Sequence, residues 1–333
     1  MKTKVLITGV AGLIGSHMAE YLAGKDYDVY GIDNLSGGYI ENVPQGVNFA
    51  QVDLSDKDNL ADVFKNLKPD YVYHFAAYAA EGLSPFIRNF NYTNNLICSV
   101  NVINECIKNE VKKIIFTSSM AVYGEGMPPF REIDQPSPED PYGISKYAVE
   151  MDLKQAHGQF GLRYSIVRPH NVIGIRQNIW DKYRNVIGIW IRRVLKGESI
   201  IIFGDGKQKR AFSDIKFCLE PLEKLMTQGD SQIFNLGSDK DYALNGVAVI
   251  LKSVASEFGF KPAIEHLEQR HEVKDAFCNH HKAKLLLGFK DETNLRETIK
   301  EMFEWAMKQE YKEVKQMPYE VDKGIYSYWK LTN

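Results

Sequence analysis

The sequence predicts an α/β protein that is built on a doubly wound parallel sheet and carries a smaller mixed α/β lobe towards its C-terminus. Apolar runs of strand length alternate with amphipathic segments of helix length through the first half of the chain, and a glycine-rich turn joins the first run to the first helix. Because the apolar runs do not alternate with polar residues, each predicted strand is buried on both faces, as in a parallel sheet covered by helices. The 333 residues are enough for such a unit and a second lobe.

Six apolar runs are the predicted strands of the sheet, and amphipathic segments are the predicted helices. The strands are KVLIT, YDVYGID, VNFAQVD, YVYHFAA, KKIIFTSS and RYSIVRPH. The helices cover residues 13–24, 57–67, 92–109 and 142–160, and two more are expected near 279–287 and 293–308. Helices 92–109 and 142–160 are long enough to pack against a second copy of the chain, so we expect a homodimer.

The composition is that of an ordinary soluble globular protein, with 44% hydrophobic and 25% charged residues. The formal net charge of −2 gives no electrostatic basis for binding nucleic acid or an anionic membrane, so the partner is expected to be small. No apolar stretch approaches the length of a membrane span, and the cysteines at positions 98, 106, 218 and 278 lack the spacing of a zinc site or a disulfide framework. These features predict a cytoplasmic protein without a bound metal.

A glycine-rich turn, TGVAGLIG, directly follows the first predicted strand. Its glycines at positions 9, 12 and 15 allow a close approach of the backbone to a pyrophosphate, which the free N–H groups at the helix start then bind. The second strand ends in Asp33, and the third ends in Asp53 and Leu54, beside the expected adenine. A carboxylate at Asp33 accepts hydrogen bonds from both ribose hydroxyls of adenosine and repels a 2′-phosphate. Together these features predict a Rossmann-type domain that prefers NAD to NADP.

Beyond about residue 172 the regular alternation of strands and helices ends. A loop and an aromatic, basic helix follow, and another sheet-like strand, SQIFNLGS, comes only later. We therefore predict that residues 1–171 and 206–240 form the NAD-binding domain, and that residues 172–205 and 241–333 form a substrate-binding lobe. The charged, aromatic segment that ends the chain is expected to pack on the surface.

Five tyrosines precede a lysine by four residues, and only Tyr142 with Lys146 follows a serine-bearing strand end. The fifth predicted strand ends in Ser119, at the edge of the sheet where such folds hold ligands. A lysine one helical turn away favours the phenolate form of Tyr142, which can then take a proton from a secondary alcohol. The other pairs lack these surroundings and are expected on the surface: Tyr21/Lys25, Tyr311/Lys315, Tyr319/Lys323 and Tyr326/Lys330.

In combination, the motifs TGVAGLIG, HFAA, SSMAVYG and YGISK resemble those of the extended short-chain dehydrogenase/reductase family. Within it they are similar to the nucleotide-sugar 4-epimerases of the UDP-galactose epimerase kind, over nearly the whole chain. The resemblance implies that Ser119, Tyr142 and Lys146 are catalytic, and that Asn95 begins a helix beside the active site. The residues expected to bind NAD are then Gly9, Gly12, Leu13, Ile14, Asp33, Asn34, Asp53, Leu54, Phe75, Ala76, Ala77, Asn95, Tyr142 and Lys146.

The reaction is inferred from what stands beside Ser119. Sugar 4,6-dehydratases of this family resemble the chain but have an acidic pair where it has Met120 and Ala121, and neither of these side chains can move a proton. The resemblance therefore favours 4-epimerisation, in which C4 is oxidised, the 4-keto sugar rotates, and C4 is reduced again. A C4 dehydrogenase that releases its keto product is the alternative, and a 4,6-dehydratase is disfavoured. A non-catalytic dinucleotide sensor would be expected to lack Tyr142 or Lys146.

The same resemblance suggests where a nucleotide sugar binds. Asn171 in RPHNVIG, Asn185 in YRNVIG, Arg210 in GDGKQKR and Arg270 match positions that contact the diphosphate or nucleotide. The substrate is expected to be a UDP-hexose or UDP-hexuronic acid. Asp214 stands where relatives usually carry an aromatic residue, which leaves another nucleotide open. Ala276 is small at a position that tunes access to the sugar, and this hints at tolerance of a bulky one.

Overall fold

A seven-stranded parallel sheet is formed mainly by the first half of the chain. The computed structural model describes residues 2–314 and 316–330. Numbered along the chain, the strands are β1 Thr3–Thr8, β2 Tyr27–Asp33, β3 Asn48–Gln51, β4 Tyr71–His74, β5 Lys113–Thr117, β6 Tyr164–Pro169, β7 Val172–Ile173, β8 Ile200–Phe203, β9 Lys209–Ala211, β10 Ser213–Asp214, β11 Gln232–Leu236, β12 Asp241–Ala243, β13 Ile264–Leu267 and β14 Asp275–Ala276. The large sheet has the order β11-β6-β5-β4-β1-β2-β3. On one side of the point between β1 and β4 the later strands follow in one direction across the sheet, and on the other side β2 and β3 follow in the opposite direction. Such a switch in strand order is where parallel sheets of this kind bind ligands.

Helices cover both faces of this sheet. They are α1 Leu13–Ala23, α2 Lys57–Leu67, α3 Arg88–Tyr92, α4 Cys98–Lys108, α5 Pro141–Phe160, α6 Val186–Leu195, α7 Ile215–Lys224, α8 Leu244–Glu257, α9 His281–Leu287 and α10 Leu295–Met307. Successive residues of a strand point to opposite faces. Leu6 of β1 accordingly packs with α2, α4 and α5, while its neighbours Val5 and Ile7 pack with α1, α7 and α9.

The C-terminal lobe is built from short strands and three apolar helices. Strand β8 pairs with β13, β9 lies between β12 and β14, and β7 pairs with β10. Helices α6, α8 and α10 enclose a core that includes Trp190, Leu251 and Phe303. Because β7 begins directly after the carboxyl end of β6, the lobe starts at the carboxyl ends of the sheet strands.

The predicted elements agree with the structure in type and closely in extent. Helices 13–24, 57–67 and 142–160 are confirmed as α1, α2 and α5, and the strand expected at 231–238 is β11. The helix expected at 92–109 begins earlier, at Arg88, and contains a π-helical turn at Thr93–Ile97 between α3 and α4. None of the described helices combines the length and the apolar character that a membrane crossing requires.

The domain boundaries at 171, 205 and 240 stay a prediction. Within the predicted 206–240 segment, β11 joins the large sheet and α7 packs on α1, whereas β9 pairs with strands of the C-terminal lobe. Helix α9, in the predicted lobe, packs against α7 and β11 of the sheet. Three parts of the sequence predictions lie outside the described residues: Met1, of the predicted domain 1–171; Lys315, of the Tyr311/Lys315 pair; and residues 331–333.

A buried ion pair joins α5 to the sheet. The Arg168 guanidinium, on β6, donates from Nε and Nη2 to the two carboxylate oxygens of Glu150 over 2.9 and 2.6 Å. The Ser118 hydroxyl donates to the same carboxylate over 2.6 Å, and all three residues are buried. Removal of one member of such a pair leaves an uncompensated charge in the interior.

We expect Arg168→Met to lower the free energy of unfolding by about 3–5 kcal/mol, because the Glu150 carboxylate then stays buried without its partner. Urea unfolding followed by circular dichroism measures the change. Arg296→Met is the matched control, since Arg296 pairs with Glu257 at the surface and its loss should change stability little. Equal stabilities of the two variants would contradict the assignment of Arg168 as the cation that compensates Glu150.

Candidate active site

A cavity of about 680 Å³ lies at the carboxyl ends of the sheet strands, between the sheet and the C-terminal lobe. With one exception, the residues predicted to bind cofactor or substrate all line this cavity. The exception is Asn95, which is fully buried outside the cavity wall. The structure therefore brings together side chains that are as distant in sequence as Gly9 and Arg270.

The glycine turn brings the backbone close to the cavity. Gly9 has φ of +74°, and a Cβ atom there would lie 2.7 Å from the backbone nitrogen of Ala76. At Gly15 a Cβ atom would lie 2.2 Å from the carbonyl oxygen of Gly9. Helix α1 begins directly after Gly12 without a side-chain cap, so its first amide groups are available to an anion. A turn closed to side chains and a helix start without a cap fit the pyrophosphate of a dinucleotide.

Asp33 is held at the tip of β2 by two backbone amides. Its carboxylate oxygens accept hydrogen bonds from Ala11 over 3.0 Å and from Leu35 over 2.8 Å. Burial raises the pKa of Asp33, and these two hydrogen bonds and the charge of Arg184 only partly oppose the rise. Each oxygen keeps a further lone pair for a ribose hydroxyl. The arrangement fits the adenosine ribose of NAD.

A second carboxylate stands at the end of β3. Asp53 accepts a hydrogen bond from the Asn34 side chain over 2.9 Å, which links the tips of β2 and β3. Partial burial works to raise the pKa of Asp53, but hydrogen bonds from Ser55 and Asn34 outweigh it, and the pKa is lowered. Asp53 is therefore ionised, and with Leu54 it forms the cavity wall beyond Asp33.

Helix α5 carries Tyr142 and Lys146 into the cavity from its first turn. Asp140 caps the helix by accepting from the amide of Gly143 over 2.9 Å, and Pro141 occupies the first helical position. The Lys146 ammonium donates to the carbonyl oxygen of Thr117 over 2.9 Å and lies 5.8 Å from the centre of the Tyr142 ring. Lysine and tyrosine are thus fixed together at the end of β5.

Burial dominates the protonation of this pair. It lowers the pKa of Lys146 to about 7, against the opposing charge of Glu150. Burial also raises the pKa of the Tyr142 phenol, and the nearby carboxyl groups of Glu81 and Asp140 raise it further. A hydrogen bond with Ser119 lowers it. Any cation brought into the cavity would favour the phenolate further.

Ser119 turns its hydroxyl towards Tyr142 from the end of β5. Its oxygen accepts a hydrogen bond from the amide of Ala121 over 3.1 Å and so caps a short 3₁₀ turn. Met120 and Ala121 follow it in the cavity wall. The wall next to Ser119 therefore has no side chain able to transfer a proton at these two positions.

Glu81 is a cavity residue that the sequence analysis missed. It begins a 3₁₀ turn, Glu81–Phe86, and lines the cavity near Tyr142. The surrounding protein and the nearby Asp140 raise the pKa of its carboxyl group. The Ser84 hydroxyl bridges this turn to the start of α5, because it accepts from the amide of Tyr142 over 3.2 Å. The available signal was an acid shortly after the HFAA motif.

The side chain of Asn95 forms its hydrogen bonds inside the protein. Its amide oxygen accepts from the backbone of Tyr78 over 2.8 Å, and its amide nitrogen donates to the carbonyl of Tyr78 over 3.1 Å and to Asn91 over 2.8 Å. Tyr78 lines the cavity directly after the HFAA segment. Asn95 thus holds the backbone after β4 and does not itself face the cavity.

The cavity wall also carries Asn171, Asn185 and Arg210, which were predicted to bind the substrate. Asn171 and Asn185 line it with left-handed backbone, at φ of 41° and 64°, and Asn171 also donates to the carbonyl of Ala211 over 3.0 Å. The Arg210 guanidinium is held by backbone carbonyls, including that of Lys274 over 2.8 Å. These polar groups line the same cavity as the glycine turn and offer hydrogen-bond partners to a second phosphate-bearing molecule.

The structure gives the positions of Asp214 and Ala276, whose roles the sequence analysis left open. Asp214 is buried away from the cavity and caps α7: one carboxylate oxygen accepts from the amide of Lys216 over 2.9 Å, and the other accepts from the Thr298 hydroxyl over 2.9 Å. Its replacement of an aromatic residue therefore does not put a charge in the cavity. Ala276 lines the cavity next to Arg210, with which it pairs in the β9–β14 ladder.

The site combines a glycine turn, Asp33 and the Tyr142/Lys146 pair at one edge of a Rossmann-type sheet. This combination defines an enzyme of the extended short-chain dehydrogenase/reductase class. The model of the NAD-dependent epimerase/dehydratase family matches residues 5–237. The chain belongs to this family, and its cofactor is NAD.

Known proteins extend the likeness beyond that segment. The structure is similar to UDP-glucose 4-epimerase of Thermotoga maritima with UDP-glucose, at a TM-score of 0.86 and 32% identity, covering 92% of this chain and 99% of the other. It is also similar to UDP-N-acetylglucosamine 4-epimerase of Methanobrevibacter ruminantium in complex with UDP-N-acetylmuramic acid, at a TM-score of 0.84 and 31% identity, covering 92% and 99%. A UDP-N-acetyl-alpha-D-glucosaminuronate decarboxylase of Bacillus cytotoxicus is 31% identical over 74% of this chain and 79% of its own length.

Glu81→Gln should move the rising limb of the pH–kcat profile to lower pH. A reaction that needs the Tyr142 phenolate accelerates with pH through the pKa of the phenol, and the Glu81 carboxylate raises that pKa. Removal of its negative charge lowers the pKa, so the phenolate forms at lower pH. Initial rates from pH 5 to 10 measure the limb.

Glu139→Gln is the control, because Glu139 lines the same cavity and is not among the groups that raise the pKa of Tyr142. Its profile should match that of the wild type. A limb that stays in place in Glu81→Gln, or moves to higher pH, would contradict the electrostatic coupling of Glu81 and Tyr142.

Proposed function

We propose that the protein is a nucleotide-sugar 4-epimerase that acts on a UDP-hexose or UDP-hexuronic acid. The observation that carries the proposal is the meeting of Ser119, Tyr142 and Lys146 in one cavity, next to Met120 and Ala121 in place of an acidic pair. Similarity to 4-epimerases of UDP-glucose and of UDP-N-acetylglucosamine, each at more than 30% identity, supports it.

The chemistry divides between the cofactor and the side chains. When bound, NAD accepts a hydride from C4 of the sugar and returns it later. The Tyr142 phenolate takes the proton of the C4 hydroxyl as the hydride leaves and gives it back on reduction. Lys146 favours the phenolate through its charge, and the Ser119 hydroxyl donates a hydrogen bond to the same sugar oxygen.

Inversion at C4 requires that the keto sugar turn over while its nucleotide stays bound. The proposed anchors are Asn171, Asn185, Arg210 and Arg270, which all line the cavity. Ala121 and Ala276 line the same cavity, and their small side chains leave space for the sugar ring. Retention of the keto sugar distinguishes this reaction from that of a C4 dehydrogenase.

Exposed apolar side chains on two helical segments bear on the quaternary state. We propose a homodimer that packs through α5 and the helical stretch from α3 to α4. Ile144 and Met151, seven residues apart on α5, and Ile97, in the π-helical turn, are large apolar side chains exposed to at least 43%. A mass of twice 38 kDa, measured by light scattering of the purified protein, would support the dimer.

The four cysteines are free and buried, which supports the expectation of a reducing, cytoplasmic compartment.

Purified protein should interconvert the C4 epimers of a UDP-sugar without added reductant. Tyr142→Phe should keep the fold and lose about 10²-fold or more in kcat, because it removes the group that carries the C4 proton. Product sugars are separated by chromatography, with circular dichroism as the control for folding. NADH accumulating in proportion to a released keto sugar would instead indicate the dehydrogenase, and a fully active Tyr142→Phe would refute the role of the tyrosine.

Asp33→Ala should reduce the preference for NAD over NADP, because it removes the anion that bonds the ribose and repels a 2′-phosphate. Fluorescence titration gives the two dissociation constants. Asp53→Ala is the matched control: its carboxylate stands at the next strand tip, so it should weaken both cofactors alike. If the NAD/NADP ratio of the Asp33 variant equals that of the wild type, Asp33 is not the ribose ligand.

A further inference from the structure

Residues 316–330, called here the C-terminal strap, lie beyond the segment that the family model matches and pack beside the cavity. The strap is anchored to the start of α3. The Glu320 carboxylate accepts from the amides of Asn89 and Phe90 over 2.6 and 2.8 Å, and the amide of Glu320 donates to the carbonyl of Phe86 over 2.8 Å. The Tyr319 hydroxyl donates to the carbonyl of Trp329 over 2.6 Å, which closes the strap on itself.

Arg270 has no ion-pair partner among the described residues. No carboxylate of residues 2–314 and 316–330 lies within 4.0 Å of its guanidinium, and its Nε atom is buried without a hydrogen-bond acceptor. Burial lowers the pKa of Arg270. The other arginines near the cavity differ: Arg184 pairs with Asp181 over 2.9 Å, and Arg210 is held by backbone carbonyls. A buried guanidinium normally has an anion or carbonyls beside it.

Aromatic rings hold Arg270 in this position. Its Cζ atom lies 3.7 Å from the centre of the Phe203 ring, 5.3 Å from that of Trp329 and 6.0 Å from that of Tyr326. Two of the three rings belong to the strap. Cation–π contact of this kind stabilises a guanidinium while leaving its N–H groups free to donate. Arg270 and Tyr326 both line the cavity.

Trp329 is held in place by packing against other aromatic rings. It is 1% exposed, and its ring meets those of Tyr183 at 5.3 Å and Phe86 at 6.3 Å edge to face. Tyr326 is fixed by its hydroxyl, which accepts from the amide of His271 over 3.2 Å. Tyr183 comes from the segment before α6, and Phe86 from the turn that carries Glu81. The strap therefore connects both sides of the cavity to the arginine.

We propose that the C-terminal strap positions Arg270 to bind the diphosphate of the nucleotide substrate, with Trp329 as the principal positioning residue. The proposal rests on the proposed function, since it takes a nucleoside diphosphate as the ligand. The phosphate oxygens complete the set of partners that the Arg270 guanidinium lacks, and a planar, doubly donating group suits them.

The test measures binding of uridine diphosphate by calorimetry, with guanosine and cytidine diphosphates alongside, so that it needs no turnover. Trp329→Ala should weaken the diphosphate that binds the wild type by about tenfold or more, as expected for loss of a charge-assisted contact. Trp329→Phe should restore most of the affinity, because a ring again faces Arg270. In steady state the loss should appear in KM, with kcat changed much less.

A double-mutant cycle separates positioning from a general structural effect. If Trp329 acts through Arg270, adding Trp329→Ala to Arg270→Ala should cause no further loss of affinity. Tyr311→Ala is the control, because this aromatic residue near the strap packs on Trp180 and does not line the cavity. Thermal melts without ligand identify variants that fail to fold.

Three results would overturn the proposal: unchanged diphosphate affinity in a folded Trp329→Ala, additive effects in the cycle, or no binding of any of the three diphosphates by the wild type. The proposed function fails separately, if the wild type binds a diphosphate yet does not interconvert C4 epimers. Failure of the strap to act on Arg270, with epimerisation intact, would leave the assignment of Ser119, Tyr142 and Lys146 unaffected.

Discussion

The buried pair of Glu150 and Arg168 is the interaction on which the geometry of the site depends. It joins α5, which carries Tyr142 and Lys146, to β6, and through the Ser118 hydroxyl it also joins β5. Arg168 in addition stacks over Tyr123 at 4.7 Å, behind the turn that follows Ser119. Because the guanidinium neutralises the carboxylate and donates two hydrogen bonds to it, the pair tolerates burial, and its bidentate geometry fixes the angle at which α5 meets the sheet.

This pair also shapes the charge of the site. Glu150 lies one helical turn beyond Lys146 and favours its ammonium form, but the same carboxylate is committed to Arg168. Among the residues that the structure describes, the Thr117 carbonyl is the hydrogen-bond acceptor of Lys146, and burial lowers its pKa to about 7. A lysine without a tight carboxylate partner can respond to charge in the cavity, which a lysine locked in an ion pair would do less. The balance between Lys146 and the acids Glu81 and Asp140 then sets how readily Tyr142 ionises.

The fold could be predicted from sequence because its signals are local: apolar runs buried on both faces, and a glycine turn between strand and helix. The choice of Tyr142/Lys146 among five such pairs required context, and the structure gives Tyr21/Lys25 a different role, since both bond Glu223 at the surface of α1 and α7. Asn95 and Glu81 show what the sequence alone does not predict about the site. Motif position placed Asn95 beside the site but could not tell that the backbone of Tyr78 uses its amide. Glu81 enters the cavity through the 3₁₀ turn after β4, and no periodic pattern predicts such a turn.

The strap shows why surface position could not be judged from composition. Its charged and aromatic sequence is expected to pack on the surface, but nothing in it predicts that Trp329 is almost fully buried against rings from two distant segments, those of Phe86 and Tyr183. Contacts of that range leave no trace in a local pattern. The two ends of the site, where the proton is transferred and where the diphosphate is proposed to bind, also depend on different segments of the chain. The end near Tyr142 is built from the sheet edge and α5, within the residues that the family model matches, whereas Arg270 depends on a segment outside them. Changes in the strap can therefore alter how a nucleotide sugar is held while the proton-transferring residues keep their geometry.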